Sequence, residues 1–85
     1  MGNVSMDEMK ARILNYVRDH LAQDPSQVTS ADQPLISSGL IDSFALVELS
    51  VFIEEEFGIS VPDPQMTAAN FDTVDLGVAT VARFA

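Results

Sequence analysis

The chain has 85 residues, enough for one domain, and its 47% hydrophobic content argues for a folded core although the net charge is −9. A field of that sign repels nucleic acid phosphates and anionic lipid and attracts basic protein surfaces, so a protein partner with Lys and Arg around its entrance is expected, with no nucleic acid and no membrane. There is no cysteine, which leaves neither a disulfide framework nor a thiolate site; any thiol chemistry has to be brought in from outside.

The opening MGNVSMDEMK lacks a basic region followed by an apolar one, and no apolar run reaches the length of a membrane span, which reads as a cytoplasmic protein. Residues 1–5 are read as a tail and 6–85 as the domain. Ser5 with Glu8 three residues on is a capping-box signature. Met6, Met9, Ile13, Tyr16, Val17 and Leu21 then recur at helical spacing, so a first helix is expected from about Met6 to about Ala22, closed by Asp24-Pro25.

DPSQVTSADQPLISSGLI follows, rich in Ser, Pro, Asp and Gln and without a sustained period. This is a long loop with at most a short helical turn, pinned to the core by Val28, Leu35, Ile36, Leu40 and Ile41, with Gly39 permitting a turn before the next helix. The second helix is expected from Ser43 to about Phe57, with Asp42 as its N-cap and Gly58 just beyond its end. ISVPDPQ is broken by two prolines and reads as a connector, and a short helical turn falls around Thr67 to Asn70. Asp72, with Asp75 three residues on, then starts a last helix carrying Val74, Val78, Val81 and Phe84. No repeat and no alternating segment is present. The expected fold is all-α, a four-helix bundle with a long loop between the first and second helices and a short third helix.

At about 100° per residue, Leu46, Leu49, Ile53 and Phe57 share an arc of roughly 80°, an ordinary core stripe. Nearly opposite lie Phe44, Glu48, Val51 and Glu55, flanked by Val47 and Glu54. Glu54, Glu55 and Glu56 crowd the negative end of the helix dipole with no Lys or Arg in that helix to pair with them. A run of three glutamates is by itself a solvated face. Joined to outward Phe44 and Val51 it reads as a surface for docking another protein, because folding alone does not select it.

Ser43 admits three readings. It is a first-turn or cap residue; it is a hydrolase nucleophile; or it is an acceptor modified by another enzyme. The second needs a base, and the single His20 lies near the end of the first helix while GxSxG is absent. For the third, a helix N-terminus suits a phosphodiester, and Asp42 beside it suits a divalent ion during phosphoryl transfer.

The stretch GLIDSFALVELSVFIEEEFGISVPD, residues 39–63, resembles the 4′-phosphopantetheine attachment region of acyl carrier proteins, where a D-S core opens the second helix and VEL and EEEF follow at these offsets. The resemblance implies a non-catalytic carrier with no catalytic residue and no resident metal. Ser43 would bear 4′-phosphopantetheine taken from coenzyme A, and the arm's thiol would hold cargo as a thioester. Asp42 would assist the phosphopantetheinyl transferase and its metal, and Phe44 would fill a pocket on that enzyme. Val47, Glu48, Val51, Glu54 and Glu55 would form the face read by acyl-loading, adenylating, ketosynthase or transferase enzymes with basic docking patches, and Gly39, Leu40 and Ile41 would shape the turn presenting Ser43. Phe44 stands where Leu is commoner, which suggests a discrete, monomeric carrier of specialised metabolism, with polyketide, aminoacyl or small hydroxyacyl cargo. The alternative is a small acidic interaction domain in which Ser43 only starts a helix.

Overall fold

The structure, a computed structural model, describes residues 5–85, so most of the expected tail, residues 1–4, lies outside the described residues. Helix α1 spans Met6–Tyr16 and is capped as its sequence demands, the Ser5 hydroxyl accepting the Glu8 N–H at 3.1 Å. Glu8 also pairs with Arg12 one turn on. Met9, Ile13 and Val17 are buried, whereas Met6 faces solvent, so the apolar stripe begins one turn later than its periodicity suggests. The final turn, Val17–Leu21, is π-helical: the Ala22 N–H reaches back five residues to the Val17 carbonyl at 2.8 Å.

The long loop is ordered by side chains that supply what a helix ladder does not. Asp24 accepts the Ser26 N–H and starts a 3₁₀ turn at Pro25–Gln27. Val28, Leu35, Leu40 and Ile41 are buried, and Ile36 packs partly buried against the core. Gly39, at φ 83°, takes the left-handed conformation that lets the chain reverse.

Helix α2 spans Ala45–Phe57 and ends at Gly58, whose φ of 68° lets its N–H close on the Glu54 carbonyl at 2.9 Å. After a 3₁₀ turn at Asp63–Gln65, α3 is a single turn, Ala68–Phe71, capped by Thr67. Helix α4 spans Val74–Ala82. Its N-cap is Thr73, whose hydroxyl accepts the Leu76 N–H at 3.0 Å, and not Asp72 as the acidic spacing suggested. The Asp72 carboxylate is drawn instead to the long loop, where it accepts the N–H groups of Ile36 and Ser37 and the Ser37 hydroxyl. Phe84 also departs from expectation: it lies beyond the end of α4 and is exposed, because tight i to i+3 bonds from Arg83 and Phe84 finish the chain.

One core joins all four helices. Ile13 and Val17 of α1, Leu46, Leu49 and Ile53 of α2, Phe71 of α3 and Val74, Val78 and Val81 of α4 meet there, closed by Leu35 and Ile41 from the loop. Each such side chain contributes about 1.5–3 kcal/mol of transfer free energy. Phe57 sits at the rim, half-buried, with its edge against Phe52 at 6.0 Å. Lys10 and Asp75 tie α1 to α4 across 3.0 Å. Among the described residues there is no strand, and no helix is long and apolar enough to cross a membrane.

Candidate functional site

At the entry to α2 the chain leaves the core and returns to it within five residues. Ile41 is 1% exposed and Ala45 8%, while Asp42, Ser43 and Phe44 between them face solvent, Phe44 at 84%. Burial on both sides fixes where the three exposed side chains stand. The α-helix proper starts at Ala45, two residues later than the apolar pattern predicts. The turn before it is wound tighter, with Ala45, Leu46 and Val47 donating to the carbonyls of Asp42, Ser43 and Phe44 at 3.1, 3.2 and 3.2 Å. Asp42 still caps the segment, its carboxylate accepting the Ala45 N–H at 3.1 Å. Among the described residues the Ser43 hydroxyl and the N–H groups of Ser43 and Phe44 have no protein hydrogen-bond partner, which leaves an anion-favouring helix mouth around the hydroxyl.

A groove of about 360 Å³ starts at Ser43 and runs between α2 and the connector. Leu46, Val47, Ser50 and Val51 form one wall, and Asp63 and Met66 the other. His20 is elsewhere. It stacks on Tyr16 at 5.0 Å and lines a shallower depression of about 250 Å³ between α1 and α2, together with Arg12, Phe52 and Glu56. The structure therefore does not bring the imidazole and Ser43 into one site, and a serine hydrolase has no base here.

The outward face of α2 is as its sequence implies: Val47 is 69% and Val51 49% exposed, and Glu48, Glu54 and Glu55 face solvent with no ion pair among the described residues. Glu56 is the exception within the acidic run. Arg12 of α1 reaches it at 2.7 Å while also holding Glu8, so the third glutamate is neutralised across the fold. The residue that sequence reasoning missed on this face is Tyr16, which stacks on Phe52 at 4.1 Å with ring planes 14° apart. Glu48 and Glu55, one turn before and one turn after Phe52, flank that stack. Burial, and then these two carboxylates, push the Tyr16 phenol above its ordinary pKa. Tyr16 falls on the core period of α1, and no local feature marks it as a neighbour of the acids.

A family model described as "Phosphopantetheine attachment site" matches residues 11–77, which takes in every element from α1 into α4. The chain belongs to the phosphopantetheine-binding carrier proteins. A carrier of this family is a non-catalytic protein that bears the phosphopantetheine cofactor, and the reading of the chain as an interaction domain alone is set aside. The lincomycin biosynthesis protein LmbN of Streptomyces lincolnensis is 50% identical over 60 residues, 71% of this chain, and the match spans only 21% of LmbN's own length. D-alanyl carrier protein 2 of Lactiplantibacillus plantarum is 31% identical over 77 residues, covering 91% of this carrier and 94% of that protein. Mitochondrial acyl carrier protein 2 of Arabidopsis thaliana is 36% identical over 75 residues, 88% of this chain and 57% of that one.

Proposed function

We propose that this carrier holds acyl, aminoacyl or hydroxyacyl intermediates as thioesters on a 4′-phosphopantetheine arm at Ser43, and delivers them to successive enzymes of a polyketide, non-ribosomal peptide or related biosynthesis. The observation that supports the attachment point best is the solvent-facing Asp42-Ser43-Phe44 step held between buried Ile41 and buried Ala45. The residues present fit the group: an exposed hydroxyl, unclaimed N–H groups at a helix mouth, and a groove that begins at that hydroxyl. The arm supplies the thiol this chain lacks. Ser43 offers its oxygen to a phosphopantetheinyl transferase: it loses its proton as it bonds the phosphorus that bears the pantetheine arm, the pyrophosphate link of coenzyme A breaks, and adenosine 3′,5′-bisphosphate leaves, while Asp42 beside it would help hold the transferase's metal.

Phe44 and the Val47, Glu48, Val51, Glu54 and Glu55 face then present one apolar anchor and a set of carboxylates to enzymes with basic entrances. Half identity to a stretch of LmbN supports specialised metabolism over a housekeeping role. We read residues 6–85 as a cytoplasmic carrier domain, and as a monomer since its most exposed large apolar side chain, Phe44, is claimed by docking. The test is intact mass after incubation with coenzyme A and a promiscuous transferase. The chain gains one phosphopantetheinyl unit and Ser43→Ala gains none; a unit on Ser43→Ala, or none on the natural chain, sinks the assignment.

A further inference from the structure

One carboxylate, distant in sequence from Ser43, holds the segment that leads to it. Asp72, between α3 and α4, accepts the Ile36 N–H and the Ser37 N–H on one carboxylate oxygen at 2.8 Å each, and the Ser37 hydroxyl on the other at 2.8 Å. Its carbonyl takes the Leu35 N–H at 2.6 Å. Four hydrogen bonds to one residue thus grip three consecutive residues of the long loop. These bonds hold the Asp72 carboxyl below the ordinary carboxylate range, the Ser37 N–H and hydroxyl foremost, so the group is a charged acceptor near neutral pH.

The grip passes on toward Ser43. The carbonyls of Ile36 and Leu35, the residues held by Asp72, receive the N–H groups of Gly39 and Ile41 at 3.1 Å each. Ile41 is 1% exposed, and Asp42 and Ser43 follow it directly. A cap for α4 does not explain this placement, since Thr73 already fills that role.

We propose that Asp72 is a positioning residue for the modification of Ser43: it fixes the loop that sets where the hydroxyl stands relative to the docking face and the groove. This rests on Ser43 being the attachment point. An oxygen that accepts both loop N–H groups is what matters, not the charge alone, so Asp72→Asn, which keeps a carbonyl for the two N–H groups, retains most of the function and Asp72→Ala does not.

The experiment is steady-state loading of the full chain by a promiscuous transferase with coenzyme A, varying carrier concentration, below the melting temperature of each variant. For Asp72→Ala the kcat falls about tenfold or more, because a misplacement of about 1 Å at a reacting atom costs up to about a hundredfold, while KM, set by docking on α2, stays within about twofold. Asp72→Asn recovers kcat to within about threefold of the natural chain. Amide hydrogen exchange at Ile41 quickens in Asp72→Ala and not in Asp72→Asn. If alanine prevents folding, Asp72→Ser, whose short hydroxyl cannot span both loop N–H groups, is read the same way. An unchanged kcat in folded Asp72→Ala, a change confined to KM, or equal loss in alanine and asparagine overturns the proposal. Failure of the natural chain to load, or loading of Ser43→Ala, overturns the attachment point as well and is recognised by those controls alone.

Discussion

Gly77 of α4 invites the substitution that helix propensity favours and packing forbids. Alanine in a helix interior gains about 1 kcal/mol over glycine. A Cβ built at Gly77, however, comes to 2.9 Å from Cδ1 and 3.2 Å from Cε1 of Phe71, where ordinary contact begins at 3.4 Å. The ring cannot swing aside, because Phe71 is 2% exposed and lies in the core cluster. Relief therefore requires α3 to lift from α4 by about half an ångström or the ring to leave its rotamer, overpacking of the kind that costs about 1–3 kcal/mol, in its middle range of about 2 kcal/mol. The net effect of Gly77→Ala is a loss of about 1 kcal/mol, which lowers the melting temperature of a domain this size by about 4–8 °C. Thermal and urea denaturation of the two proteins decide it. A higher melting temperature for Gly77→Ala would mean that α3 yields freely and that the contact between these helices does not fix the junction carrying Asp72.

Charge reversal at Glu48 and Glu55 separates docking from folding: at low salt the double lysine variant is loaded about threefold to tenfold more slowly by a transferase with a basic entrance. The helix stability changes little, because a lysine at position 55, in the last turn of α2, complements the dipole by a few tenths of a kcal/mol and one at position 48, in the first turn, opposes it by about as much. Equal loading rates at low salt refute the docking face, and the difference shrinks as salt screens the exposed charges. Tyr16 is the single tyrosine, so its phenolate absorbance can be titrated without overlap; the midpoint falls above the ordinary value of about 10 and moves down in a Glu48→Gln, Glu55→Gln variant. Because the folded-state value is the raised one, the associated stability is complete below about pH 10 and is lost as pH climbs through the folded midpoint. A midpoint at or below that of free tyrosine contradicts the placement of the two carboxylates.

Features decided by adjacent residues are legible in the sequence itself. Ser5 before Glu8, Asp42 ahead of an apolar stripe, and Gly58 after it each act within one turn: Ser5 caps α1 and Gly58 closes α2 as read, the Glu8 carboxylate turns to Arg12 and leaves the capping box half made, and Asp42 caps the tight turn ahead of α2 in place of the α-helix itself. The exposed Phe44, Val47 and Val51 follow from the helical period alone. What escapes such reading depends on partners distant in sequence. Asp72 and Thr73 are both competent caps, and the choice between them is made by unpaired N–H groups at Ile36 and Ser37, which no local pattern couples to Asp72. Glu56 looks uncompensated within its own helix because its cation belongs to another. The tight winding over Ser43 and Phe44 is likewise hidden, since the same apolar spacing suits an α-helix starting two residues earlier.

The widened turn at Val17–Leu21 has a bearing on what changes of length the first helix can take up. Such a turn takes up one more residue than its neighbours for nearly the same advance along the axis. Gln23, just past it, is fastened by its N–H to the Leu40 carbonyl at 3.2 Å, so the slack is absorbed before the chain reaches that anchor. Deleting one residue here is therefore expected to return the turn to α-helical winding with the Gln23 anchor kept, which the amide exchange of Gln23 would report.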